Sequence, residues 1–172
     1  MLAAYLRSMD WLYLACIWIA GIALAVMTII IPWGVYARYV LGTGSQWPEP
    51  LAILMMVVFT FFGAAACYRA DAHIAVTLLT GALPRAAGVA ATRLVELLLA
   101  ALCLFMVIWG FQLCWVTWYQ EIAEFPGLRA GITYLPLPIG GLITLLFIIE
   151  RSVAGSQAQR AAVRLQEAKT AD

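Results

Sequence analysis

The chain has 172 residues, of which 65% are hydrophobic and 11% are charged, and its formal net charge is +1. A soluble domain carries about 25% charged residues, so this composition excludes an ordinary water-soluble protein and indicates a membrane protein. The near-neutral charge provides no field that attracts nucleic acid, and the length fits one domain, residues 1–172.

Four uncharged apolar segments predict four transmembrane helices, because about 20 apolar residues cross a hydrocarbon core about 30 Å thick. The predicted spans are 11–31, 51–67, 97–119 and 132–149. The first span is interpreted as a retained helix and not a cleaved signal peptide, since it is full-length and leads into Pro32-Trp33. The predicted fold class is therefore an all-α integral membrane protein.

The loops around the second span carry a concentration of polar residues. Trp47 and Glu49 stand among prolines before it, and Arg69 and His73 follow it. From His73 to Leu83 the apolar residues fall on one side of a helical wheel, which predicts a short helix lying in the membrane interface. An irregular apolar linker is the alternative interpretation of this segment.

The distribution of positive charge predicts the orientation. Eight of the ten Lys and Arg residues lie in the N-terminal segment, the second loop and the C-terminal tail, and only Arg38 and Arg129 lie in the other loops. The positive-inside rule then places both termini in the cytoplasm, with residues 152–172 as a cytoplasmic tail. Glu121 and Glu124 of the third loop are expected on the outer side.

Several kinds of chemistry lack the residues they need. One histidine cannot supply the pair that a bis-histidine haem requires. The four cysteines show no spacing typical of zinc or redox sites, and the simplest interpretation is that they are small buried hydrophobic residues. No catalytic residue, cofactor or metal site is predicted.

A coupling group within the membrane is also missing from the sequence. A proton-coupled exporter needs an ionisable residue near the middle of a span, whereas Glu96 and Glu150 lie at span ends. Gln112 lies within the third span, and we interpret it as a helix-to-helix hydrogen-bonding residue. Four helices without a central charge are typical of a subunit of a larger assembly.

A set of short motifs, in this order, resembles the small membrane subunit of tripartite ATP-independent periplasmic (TRAP) transporters, the DctQ-like family. The motifs are Arg38-Tyr39, Trp47-Pro48-Glu49, Phe62-Gly63-Ala64-Ala65, Arg69, His73-Ile74, Pro84 and Tyr134-Leu135-Pro136-Leu137-Pro138-Ile139-Gly140. The resemblance covers about residues 10–150. The family usually shows Trp-x-Glu-Glu before the second span, and here Pro50 replaces the second acidic residue.

The resemblance implies a non-enzymatic subunit of a secondary-active transporter in the bacterial inner membrane. A large membrane subunit would carry the substrate and sodium sites, and a periplasmic binding protein would deliver an organic acid, either a carboxylate or a sialic-acid-like sugar acid. The small subunit would enlarge the static scaffold against which the transport domain moves like an elevator. Its partners would be these two proteins and membrane lipid.

The residues of the motifs have expected structural roles and no catalytic ones. Glu49 is expected to pair with Arg38 or with a basic group of the partner, and a solvated carboxylate at the helix N-terminus is the alternative. Trp47 is interpreted as an anchor at the membrane interface. Arg69 and His73 are expected to fix the following helix through hydrogen bonds or lipid phosphate.

The remaining candidates lie along the later part of the chain. Gly63 begins a run of small residues that permits close contact with a neighbouring helix. Pro138 and Gly140 belong to the motif of the fourth span. Glu121 and Glu124 are candidate contacts to the binding protein, and an ordinary hydrated loop is the alternative.

Two functions of other classes compete with the transporter subunit. The first is a membrane redox protein or enzyme that uses the cysteines and His73. The second is a small exporter that assembles with copies of itself and transports without a partner.

Overall fold

The structure is a computed structural model that describes residues 2–43, 47–71, 85–122 and 125–155. The predicted interfacial helix from His73 to Leu83 lies outside these residues, as do Glu124 and most of the tail 152–172. The elements of the described residues are α1 (Leu2–Tyr39), α2 (Pro48–Arg69), α3 (Arg85–Val116), β1 (Glu121–Ile122), β2 (Phe125–Arg129), α4 (Ala130–Tyr134) and α5 (Pro136–Ala154).

The predicted fold class is confirmed. Four helical segments are long and apolar enough to cross a membrane, namely Tyr5–Tyr39, Pro48–Arg69, Ala87–Val116 and Ala130–Ala154. The last of these combines α4 and α5, which meet at Leu135 with helical backbone angles. The chain is therefore an all-α integral membrane protein with four transmembrane helices.

The helices extend beyond the apolar segments that the sequence marks. Pro32 lies inside α1, which continues to Tyr39. Transmembrane helices tolerate an internal proline because neighbouring groups can bond to the backbone carbonyl that the proline leaves without its usual donor. With 38 residues, α1 is longer than a helix needs to be to cross a hydrocarbon core about 30 Å thick. Helix α3 begins at Arg85, so Glu96 lies well inside a helix and not at its start.

The third loop contains a two-stranded antiparallel hairpin that the sequence pattern does not predict. Glu121 pairs with Arg129 and Ile122 pairs with Phe125, with an irregular register between the two pairs. The guanidinium of Arg129 lies 5.5 Å from the centre of the Trp118 ring, just after α3. The hairpin therefore links the end of the third span to the start of the fourth.

Helix α2 packs between α1 and α5, and α3 packs against the other side of α5. The buried residues of the central cluster come from all four helices: Met9, Tyr13, Cys16, Ala65, Ala66, Tyr68, Cys103, Ile143, Phe147 and Ile148. Most of them lie toward the end of the bundle that holds the start of α1 and the ends of α2 and α5. That end therefore holds most of the central apolar cluster of the described residues.

Close contact between α2 and α5 depends on Gly140. A Cβ atom at this position would lie 2.6 Å from Cβ of Phe61, which is closer than two carbon atoms approach. Pro138, two residues earlier, is fully buried, and a Cβ atom at Gly110 of α3 would meet its ring at 3.0 Å. The Pro138 and Gly140 motif thus forms the surface on which α5 meets two neighbouring helices.

We expect Gly140→Ala to lower the unfolding temperature of the detergent-purified chain, because the added methyl group forces α2 and α5 apart. Overpacking of this kind costs about 1–3 kcal/mol. Gly63→Ala is the matched control, since a Cβ atom at Gly63 of α2 would meet nothing within 4 Å. Thermal unfolding read by size-exclusion chromatography separates the two variants. Equal midpoints would contradict the close contact at Gly140.

Candidate functional site

A buried cluster of charges lies where α1, α2 and α5 meet. Arg69, in the last turn of α2, has a side chain that is only 1% exposed. Its Nε donates a hydrogen bond of 2.8 Å to Oε2 of Glu150, and its Nη2 donates one of 2.8 Å to Oε1 of the same carboxylate. Nη2 also donates to Oδ1 of Asp10 at 2.7 Å. One arginine of α2 thus binds a carboxylate of α5 and a carboxylate of α1.

Aromatic rings complete the surroundings of Arg69. The guanidinium carbon lies 5.4 Å from the centres of the Tyr13 and Phe147 rings, whose faces attract a cation. The carboxylate of Glu150 is fully buried. Removing two opposite charges from water is costly unless they are paired and hydrogen-bonded to each other. The parallel hydrogen bonds of Arg69 meet this requirement for Glu150.

A second cluster lies beside the first and adds α3. Arg151 donates from Nε to Oε1 of Glu96 at 3.0 Å, and from Nη1 to Oδ1 of Asp71. Arg93, one turn before Glu96, donates to its other oxygen at 3.2 Å. Asp71 has a φ of 54°, a left-handed conformation that Asp tolerates, just after α2 ends. This cluster therefore joins the end of α2, α3 and α5.

The two clusters together hold all four spans at one end of the bundle. Glu150 and Arg151 are consecutive residues of α5, and each pairs with a charge on or just after α2. Asp10 adds α1 and Glu96 adds α3. We call this set of residues the charge clamp: Asp10, Arg69, Asp71, Arg93, Glu96, Glu150 and Arg151.

Charges at the opposite end of α1 and α2 are more exposed. Glu49 pairs with Arg38 at 2.8 Å, and their side chains are 67% and 48% exposed. An exposed ion pair of this kind contributes at most about 1 kcal/mol. Trp47, just before α2, is about one-third exposed. Of the two partners expected for Glu49, the structure shows the one within this chain, Arg38.

Other candidate residues lie apart from the clamp. Gly63 borders open space on α2, and Glu121 is exposed on β1. Gln112 is exposed on the outer surface of α3, so it makes no buried contact between helices of this chain. His73 and Glu124 lie outside the described residues.

The sequence suggested that Arg69 fixes the following helix through hydrogen bonds or lipid phosphate, whereas in the structure its hydrogen bonds go to carboxylates of α1 and α5. The sequence does carry a signal for the observed partners. Glu150 and Asp10 each stand beside an apolar span, and alternating span directions bring both to the same membrane side as Arg69. Opposite charges at matching span ends therefore predict pairing, although this pattern does not reveal which carboxylate meets which arginine.

We expect Arg69→Gln to lower the unfolding midpoint of the purified chain strongly, because Glu150 is left buried without its cation. Removing one partner of a buried ion pair costs about 3–5 kcal/mol. Thermal unfolding in a mild detergent, read as the loss of monodisperse protein, measures the change.

Arg93→Gln is the matched control, since the side chain of Arg93 is 68% exposed and its ion pair contributes at most about 1 kcal/mol. The double variant Arg69→Met with Glu150→Met removes both buried charges and is expected to recover part of the loss. Equal destabilisation by Arg69→Gln and Arg93→Gln would contradict the prediction that the buried ion pair of Arg69 contributes more to stability than the exposed pair of Arg93.

The sequence of this chain is similar to a known family and to individual known proteins. Residues 27–158 match the family of the DctQ component of tripartite ATP-independent periplasmic transporters. A protein of Haemophilus influenzae assigned as a TRAP transporter small permease is 26% identical over 131 residues, which cover 76% of this chain and 81% of that protein. The sialic acid TRAP transporter small permease protein SiaQ of Vibrio cholerae is 21% identical over 128 residues, covering 74% of this chain and 73% of SiaQ.

The matched region includes three complete spans and most of the clamp, from Arg69 to Arg151. These relatives are permease subunits and not enzymes, and the four cysteines of this chain are free thiols. Four apolar helices together with these relatives indicate a multi-pass protein of the inner membrane. The chain belongs to the DctQ family, the small membrane subunits of TRAP transporters.

Proposed function

We propose that this chain is a static scaffold subunit that packs against the large membrane subunit of its transporter. The observation that carries this proposal is the charge clamp, in which Arg69 and Glu150 are both buried and bonded to each other. A group that couples transport to an ion must exchange partners during the cycle, whereas these groups stabilise one arrangement of helices. The four spans predicted from the sequence, 11–31, 51–67, 97–119 and 132–149, also contain no charged residue.

The large subunit would then supply the substrate and ion sites. In this proposal, sodium drives secondary-active uptake, and the transport domain of the large subunit moves like an elevator against the scaffold. The substrate would be an organic acid, a carboxylate or a sialic-acid-like sugar acid, delivered by a periplasmic binding protein. Similarity to SiaQ supports an acidic sugar as one candidate.

The proposed orientation places the clamp at the cytoplasmic face. Eight of the ten Lys and Arg residues lie on the side that holds both termini, which favours the cytoplasm for that side. The hairpin of β1 and β2 would then face the periplasm, where Glu121 and Glu124 would be available to the binding protein. The second loop, including His73, would lie along the inner membrane surface.

We expect uptake in liposomes to require this chain together with the large subunit and the binding protein. The test is accumulation of radiolabelled organic acid under an inward sodium gradient, with each component omitted in turn. Uptake by this chain alone would instead establish a self-sufficient exporter-type transporter. Full uptake by the other two components without this chain would also contradict the scaffold role, as would failure of this chain to co-purify with the large subunit.

We expect labelling of single cysteines to report the orientation. In a variant with the native cysteines replaced by serine, Glu121→Cys should react with a membrane-impermeant maleimide in cells whose outer membrane has been made permeable. Gly155→Cys, at the end of α5, should react only after the inner membrane is opened as well. The reverse pattern would place the charge clamp on the periplasmic side.

A further inference from the structure

A groove lies between α1 and α2 at the end opposite to the clamp. Its volume is about 430 Å³, and its walls come from one face of each helix. Arg38 and Glu49 stand at its mouth, while Met27 and Met56 line its far end. The walls between them are apolar, so the charges of the groove are confined to the mouth.

The length of the groove matches one leaflet of a membrane. At 1.5 Å per residue, the helix between Met27 and Arg38 rises about 16 Å, which is about half of a hydrocarbon core 30 Å thick. The charged mouth therefore lies at the level of lipid headgroups when the far end lies near the bilayer centre. This correspondence holds whichever side of the membrane the mouth faces.

Contact between the two helices forms the floor of the groove. A Cβ atom at Gly34 would lie 2.9 Å from Cβ of Pro48, so the backbones of α1 and α2 approach closely there. Ala52, also in the wall, has a short side chain that leaves the space above the floor open. The groove is thus a slot between touching helices, which suits a flexible acyl chain better than a third helix about 10 Å in diameter.

The mouth carries charges of both signs. Arg38 and Glu49 contact each other at 2.8 Å, and about half or more of each side chain remains exposed. A protein segment covering them would remove them from water at a substantial cost. A zwitterionic phospholipid headgroup offers a phosphate to the arginine and an ammonium to the carboxylate, so both charges keep a partner.

We propose that this groove holds one acyl chain of a phosphatidylethanolamine molecule, whose phosphate contacts Arg38 and whose ammonium contacts Glu49. An anionic phospholipid without an ammonium group would face Glu49 with a like charge. The site therefore selects between headgroups by the sign of the charge beside the phosphate.

Native mass spectrometry of the full chain tests this proposal. The chain is released from nanodiscs that contain equal amounts of phosphatidylethanolamine and phosphatidylglycerol, and the mass of the retained lipid is read. We expect one phosphatidylethanolamine per chain, with a preference of roughly fivefold, the size that one exposed ion pair supplies. Retention of no lipid, or of both lipids equally, would overturn the proposal.

Two variants separate the headgroup from the acyl chain. Glu49→Lys makes the mouth wholly positive, so retention should shift to phosphatidylglycerol. Ala52→Phe fills the slot and should abolish retention of either lipid. Glu121→Lys is the control, because it makes the same charge change on the exposed β1 and should leave the lipid unchanged.

Both variants are compared as monodisperse protein, and Glu49→Lys alone decides the headgroup assignment if Ala52→Phe does not fold. An unchanged lipid in Glu49→Lys would refute that assignment. Loss of the lipid when the large subunit is added, or when two copies of this chain associate, would show that protein occupies the groove instead.

Discussion

The buried guanidinium of Arg69 constrains how the helices of this protein are arranged. A charge in this position requires carboxylates, and they come from two other spans, Glu150 on α5 and Asp10 on α1. Sliding either helix by one residue would move its carboxylate by about 1.5 Å and break the hydrogen bonds. Apolar packing between transmembrane helices is less selective about register, because lipid tails are as apolar as the side chains they replace. The ion pairs therefore supply a specificity that hydrophobic contact does not.

Consecutive residues of α5 extend this constraint to the whole bundle. Glu150 reaches Arg69, while Arg151 reaches Glu96 of α3 and Asp71 after α2. The close contacts at Pro138 and Gly140 then continue the packing of α5 along its length. Toward the other end, α1 and α2 touch at Gly34 and Pro48 but leave a groove beside this contact. Ion pairs thus hold the helices together at one end of the protein, whereas α1 and α2 leave a groove at the other end.

Hydropathy predicts the four spans because a segment crosses the membrane only if it has enough consecutive apolar residues. This is a property of each segment alone. Hydropathy does not mark the ends of the helices, since α1 continues past Pro32 and α3 begins at Arg85. The pairing of Arg69 with Glu150 joins residues far apart in sequence, and charge balance alone does not select this partner from several carboxylates. The hairpin before α4 lacks a strong strand pattern, since β1 has only two residues. Local patterns thus predict the elements, and tertiary contacts decide which charges pair.

The charge clamp also bears on which subunit of the proposed transporter moves during transport. A residue that couples ion flow to movement needs a water-accessible state and at least two alternative partners. Within the described residues the side chain of Arg69 is buried, and its Nε and Nη2 bind the carboxylates of Glu150 and Asp10 at the same time. Breaking such a pair costs about 3–5 kcal/mol, too much for a cycle in which nothing replaces the lost partner. Movement is therefore expected in the large subunit, with this four-helix unit held in one arrangement against it.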